Sequence, residues 1–170
     1  MEEIEIPTEH LHETIQEKAM EARENRWFPF VAISTAFMAV FAAISGLLAG
    51  HHSDEALIEQ IKASDQWAYY QAKGIKAEIK TLQVNAGLTD PASAMKYKKE
   101  QEEIRKKAEE AEHESKFNLD KHSILAKAVT LFQVAIAISA ISILTKKKWL
   151  WVTSIFISLA GLVFFIMGIV

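Results

Sequence analysis

Cysteine is absent from the 170 residues, so the chain can hold no disulfide framework and no thiolate metal or redox site. Several motifs of chemistry are missing too. There is no glycine-rich phosphate loop, no dinucleotide fingerprint and no nucleophile elbow. The dipeptide His-Glu occurs at His12 and His113, but neither is followed by a second histidine four residues on, which excludes the zinc-protease helix. Charge is missing in a patterned way. The 19 basic and 22 acidic side chains all avoid three stretches, Phe28–Gly50, Ala128–Thr145 and Trp149–Val170. A net charge of −3 and near-neutral mean hydropathy conceal this segregation. It argues against one soluble globular domain and for a small integral membrane protein.

Each uncharged stretch is long enough to cross a bilayer. At ~1.5 Å per residue the first covers about 34 Å, against a hydrocarbon core of ~30 Å. Trp27 marks an interface position at its start, and Pro29 falls in the first helical turn, where a missing N–H is harmless. Its length and late start, after a mostly acidic segment, argue against a cleaved signal peptide. The second extends back to residue 124 if Lys127 reaches the headgroups from the first turn. The third follows after only Lys146, Lys147 and Lys148, which makes the last two spans a tight hairpin. No Asp, Glu, Lys or Arg lies near a span centre, so an ion-coupled pathway is not expected. The lysine tip on so short a loop predicts that 146–148 face the cytoplasm. The N-terminus is then cytoplasmic, with Lys18, Arg23 and Arg26. Residues 51–123 and the C-terminus are extracytoplasmic, in a multi-pass protein of the bacterial inner membrane.

The expected organisation is an acidic amphipathic helix over 1–26, a span over 27–50, an extramembrane coiled-coil hairpin over 51–123, a span over 124–145, the tip at 146–148, and a span over 149–170. The fold class is all-α. In the insertion, Gly87-Leu88-Thr89-Asp90-Pro91 combines helix-stop and turn chemistry. Proline is missing from the runs on either side, and Gly74 alone interrupts them. Ile58, Ile61, Asp65, Ala68, Ala72, Ile75, Ile79, Leu82 and Ala86 recur at alternating steps of three and four, a heptad seam. Ala94, Tyr97, Gln101, Ile104, Ala108, Ala111, Ser115, Asn118, His122 and Leu125 repeat the pattern after the turn. The two seams are predicted to face each other in an antiparallel α-hairpin whose helices continue into the spans without a linker.

Candidate chemistry is sparse. His10 and His12 form an HxH pair, and His51, His52 and Asp54 stand where the first span ends, but the sequence places no full ligand set. No metal and no cofactor is expected. Asp65, facing His113 or Ser115 across the predicted hairpin, reads as a residue that fixes register, with a proton-sensitive latch as the alternative. Ser115 and Asn118 make the second seam polar. Gln133, well inside a span, reads as glue between helices. Ala42, Gly46 and Gly50 form a small-residue ridge on the first span, and Ser154 and Ser158 begin another on the third. Trp67, Tyr69 and Tyr70 lie off the seam and suggest a further packing partner, most simply another copy. Lysines 96, 98, 99, 106 and 107 alternate with glutamates, which describes a solvated helix face and no nucleic-acid surface.

The acidic helix before Trp27, the segment Asp65-Gln-Trp-Ala-Tyr-Tyr-Gln-Ala-Lys-Gly-Ile-Lys and the lysine tip between two C-terminal spans carry a resemblance. The chain resembles an uncharacterised bacterial three-span membrane-protein family, a domain-of-unknown-function group. The resemblance supports the topology and implies no catalytic residue. The function expected is a non-enzymatic oligomeric membrane scaffold or assembly protein. Its partners would be the lipid bilayer, other copies and possible other membrane proteins. Packing between copies would use Ile61, Ile75, Ile79, Leu82 and the tyrosines. The alternatives are an oligomeric pore lined by Gln133, Ser139 and Ser142, and a signal-relay module acting through a partner.

Overall fold

The computed structural model describes residues 26–170, so the helix expected over 1–26, with His10 and His12, lies outside the described residues. Among the described residues the secondary structure is three α-helices and no strand: α1, Phe28–Asn85; α2, Pro91–Leu144; α3, Lys148–Ile169. The uninterrupted α1 and α2, of 58 and 54 residues, match the expected continuity.

Both turns are set by local chemistry. Gly87, with φ 71°, ends α1 in a left-handed residue. Its N–H donates to the Val84 carbonyl at 2.9 Å and the Leu88 N–H donates to Gln83 at 2.8 Å, the double bond of a Schellman motif. Asp90 then caps α2. Its Oδ1 accepts the Ala92 N–H at 3.0 Å, and Pro91 takes the first helical position. The second turn repeats the Schellman pattern, with Lys146 N–H to Ile143 and Lys147 N–H to Ser142. Here the left-handed residue is Lys146, φ 54°, where glycine is the usual choice.

The chain divides into two compact units. In the first, Val129–Val163 packs against the start of α1, up to Ala43. Val31, Met38, Phe132 and Ala135 are buried, and Phe41 stacks on Phe132 at 5.9 Å. The Thr35 and Ser139 hydroxyls share a 2.6 Å hydrogen bond, and the Trp151 indole donates to Ser34 Oγ at 3.1 Å. Pairing in this way offsets the cost of taking these hydroxyls out of water. Gly161 lets α3 approach α2, since a Cβ there would stand 3.3 Å from that of Leu131. The outer surface is apolar, with Phe30, Ile33, Phe37, Val152, Phe156 and Val163 all exposed. Only 17%, 28% and 22% of the most apolar stretch of each helix is buried, so most of that surface needs an apolar solvent or a partner. All three helices are long and apolar enough to cross a membrane.

The second unit joins Ile44–Ala128 with Phe164–Val170. Its cross-helix bonds run in opposite senses along α1 and α2. His122 Nδ1–H donates to the Ala49 carbonyl at 2.8 Å, and His52 Nδ1 lies 2.8 Å from Asn118 Oδ1. Ser115 Oγ donates to the Ala56 carbonyl at 2.8 Å, and the Trp67 indole to Glu112 at 2.9 Å. Lys73 pairs with Glu100.

This pairing corrects one expectation. Every seam position predicted on α2 is buried or partly covered, from Ala94 to Leu125. On α1 the predicted seam points away: Ile58 is 45% exposed, Ile61 55%, Ile75 62%, Ile79 49% and Leu82 67%. Asp65, Ala68, Ala72 and Ala86 are exposed with them. Ala49, Ala56, Ala63 and Ala77 meet α2 in their place. The physical reason is close approach. Alanines let the two backbones near enough for Ser115 to reach a main-chain carbonyl of α1, which isoleucine at those positions would prevent. Asp65 therefore faces neither His113 nor Ser115. Ser115 spends its hydroxyl on Ala56 and lies 3.3 Å from Gln60 Oε1.

Candidate functional site

Among the described residues, those with catalytic or ligand chemistry do not converge. His51 and Asp54 are exposed, while His52 and Asn118 hold each other between the helices. Among the described residues no group of three His, Cys, Asp or Glu side chains is placed to hold a metal ion. A cleft of about 250 Å³ in the first unit is lined by Phe37, Phe41, Phe132 and Leu162 among others, with no titratable side chain. It could seat a hydrocarbon chain but offers no acid, base or nucleophile beyond the hydroxyls of Ser34 and Ser158.

The polar residues of the first unit also separate. Gln133 is exposed, whereas Ser139 and Ser142 are fully buried. Ser142 donates to its own helix at the Ser139 carbonyl. The three residues expected to line a lumen therefore do not share a face. Ser154 is buried and bonded to the Trp151 carbonyl, and Ser158 is partly covered. Ala42 is partly covered, and Gly46 and Gly50 are exposed. A Cβ at Gly50 would meet nothing within 4 Å.

In the second unit the aromatic residues divide between two roles. Trp67 and Tyr70 pack edge to face at 5.5 Å, and Trp67 bonds across to Glu112, so both serve the contact between α1 and α2. Tyr69 is 49% exposed and lies beside the outer seam. Its ring and that of Tyr97 flank Lys73 Nζ at 5.4 and 5.2 Å. The hydrogen bond with Glu100 pushes Lys73 above the ordinary lysine value and pulls Glu100 below the ordinary carboxylate value.

What remains is a surface. Ile58, Ile61, Ala68, Ala72, Ile75, Ile79 and Leu82 form an apolar stripe four heptads long, broken by Asp65. At ~100° per residue, the midline between Ile58 and Ile61 lies about 170° from Ala56, so α1 carries two seams on opposite faces. One meets α2; among the described residues the other has no apolar cover. The inner seam escaped the sequence reading, although Ala56, Ala63, Tyr70, Ala77 and Val84 are spaced by sevens. Its signal is alanine at three of these five positions, Ala56, Ala63 and Ala77, which hydrophobicity alone undervalues. The hydroxyl pairs Thr35–Ser139 and Ser34–Trp151 carry no sequence signal, since each joins residues over a hundred positions apart.

No curated protein and no solved structure matches this chain. A family model described as a domain of unknown function matches residues 27–170, all three helices with both turns. On that match, the chain belongs to the family of the domain of unknown function DUF4337.

Proposed function

We propose that this protein is a non-enzymatic scaffold or assembly factor that crosses a membrane three times and associates with other copies of itself. The observation that carries this reading is the uncovered seam on the outer face of α1. Isolated exposed leucines or isoleucines are ordinary on a protein surface, but a heptad stripe is the pattern one helix presents to another. The apolar exterior of the first unit supports insertion of all three helices in lipid. Residues 51–123 are then a helical hairpin outside the bilayer. The lysine tip supports a cytoplasmic position for 146–148 and an extracytoplasmic one for the hairpin, in a bacterial inner membrane. Exposed Gln133 fits a hydrogen bond to a neighbouring copy, since a lone amide against lipid is costly.

The pore reading is less well supported, because Ser139 and Ser142 are turned into the helix packing and Gln133 away from it. Two measurements test the proposal. Alkaline carbonate should leave the chain in the vesicle pellet, and particle imaging in nanodiscs should show more than one copy around a closed centre. Extraction by carbonate, or a single copy at all concentrations, would contradict it. A water-wide opening would favour the pore.

A further inference from the structure

A notch of about 410 Å³ lies within the second unit, where the charge-free stretch of α1 gives way to its charged arm. We propose that it holds one anionic phospholipid of the surrounding bilayer, with the phosphate on Lys121, the headgroup beside His52 and an acyl chain on Leu48, Leu125 and Ile169. This inference rests on the reading that the three helices cross a membrane, and it does not depend on self-association.

Three observations support it. First, the notch stands at the depth such a ligand needs. His122 bonds to the Ala49 carbonyl, which sets Lys121 level with Gly50, the last residue of the first charge-free stretch. Leu125, one turn further along α2, packs against Gly168 near the end of α3. The floor of the notch therefore belongs to the apolar zone and its mouth to the level of the headgroups. Second, the lining is divided in the same sense. Leu48, Leu125, Gly168 and Ile169 are uncharged, His52 and Lys121 are basic, and no acidic side chain lines the notch. An apolar floor below a basic mouth suits an amphiphile with a negative head.

Third, the polar groups of the mouth keep free capacity. Among the described residues no carboxylate lies within ion-pair distance of Lys121 Nζ, which rests 5.6 Å from the centre of the Phe117 ring. Phe117 is 51% exposed and lines the notch, an aromatic ring where interfacial aromatics are favoured. The tautomer of His52 is set by its neighbour. Asn118 Nδ2 donates to the Glu114 carbonyl at 3.1 Å, which leaves Oδ1 to accept from His52 Nδ1 at 2.8 Å. Nε2 of the neutral ring is then an acceptor, with no hydrogen bond among the described residues, and suits a headgroup hydroxyl. A phosphate gives Lys121 the counter-charge that no described side chain provides.

The test titrates the full chain, in mild detergent, with phosphatidylglycerol or with phosphatidylcholine of the same acyl chains, and counts bound lipid by native mass spectrometry. The wild type should bind one phosphatidylglycerol about fivefold more tightly than phosphatidylcholine, the factor one lysine beside an anionic headgroup supplies. Lys121→Gln should abolish that preference and Lys121→Arg should keep it. Lys127→Gln, at an exposed lysine that does not line the notch, should keep it too. Inorganic phosphate at the same concentration should not displace the lipid. Equal binding of the two lipids by the wild type, a preference that survives Lys121→Gln, one lost equally in Lys127→Gln, or displacement by phosphate overturns the inference. Alkaline carbonate separates two failures. A chain that stays in the vesicle pellet yet shows no preference overturns this inference alone. A chain that carbonate extracts overturns the membrane reading and this inference with it.

Discussion

At the scale of single residues, the glycines and the left-handed positions show where the backbone is under constraint. Gly74 lies in the interior of α1, where glycine disfavours helix by ~1 kcal/mol relative to alanine. A Cβ there would come within 2.6 Å of Gln101 Nε2, the far end of a flexible side chain that can move aside. Gly74→Ala should therefore stabilise the fold by about 0.5–1 kcal/mol, read as a higher unfolding temperature in detergent. Gly168 is the opposite case. Its Cβ would fall 2.6 Å from Leu125 Cγ, in a fully buried side chain with little room to yield. Gly168→Ala should cost about 1–3 kcal/mol in the same melting experiment.

At the scale of elements, α2 shows how much of this fold is legible in sequence. Its buried face, Ala94 to Leu125, follows directly from the heptad steps because α2 carries one such stripe. The turn at Gly87–Pro91 follows equally directly, because the residue types dictate the Schellman end and the cap. On α1 the same rule fails to choose. Two stripes share the heptad period on opposite faces, and the richer one in isoleucine is the one turned outward. Periodicity marks a face suited to another helix and does not choose between α2 and a partner outside the chain. A hydrophobicity rule ranks alanine low, yet the close contact needs alanine. The Lys73–Glu100 bond tests the contact between the two arms. Glu100, with its value lowered, contributes at neutral pH and loses that contribution as the pH falls through its own titration. Lys73, with its value raised, loses its part only in strong alkali. Glu100→Gln should therefore melt lower than wild type at pH 7, and the two melting curves should converge only as the pH falls past the ordinary carboxylate range and through the lowered value of Glu100 itself.

At the scale of the whole molecule, the charge-free stretches, the apolar exterior of the first unit and the uncovered seam of the second agree on one account. The protein lacks a convergent cluster of reactive groups among its described residues and has instead two kinds of unsatisfied surface, one suited to lipid and one to another helix. Sequence alone located both but gave the second to two contacts, one with α2 and one between copies, because an isolated stripe gives no clue to whether its partner lies in the same chain. The exposure of Ile61, Ile75, Ile79 and Leu82 removes the first. The most direct test is the copy number of the intact protein in nanodiscs, compared between wild type and the double variant Ile75→Lys, Ile79→Lys. Both positions are exposed, so the chain itself should keep its helix content and melting behaviour. The wild type should contain two or more copies and the variant should fall to one. A wild type that is already single, or a variant that keeps the wild-type copy number, would contradict the role given to the outer face of α1.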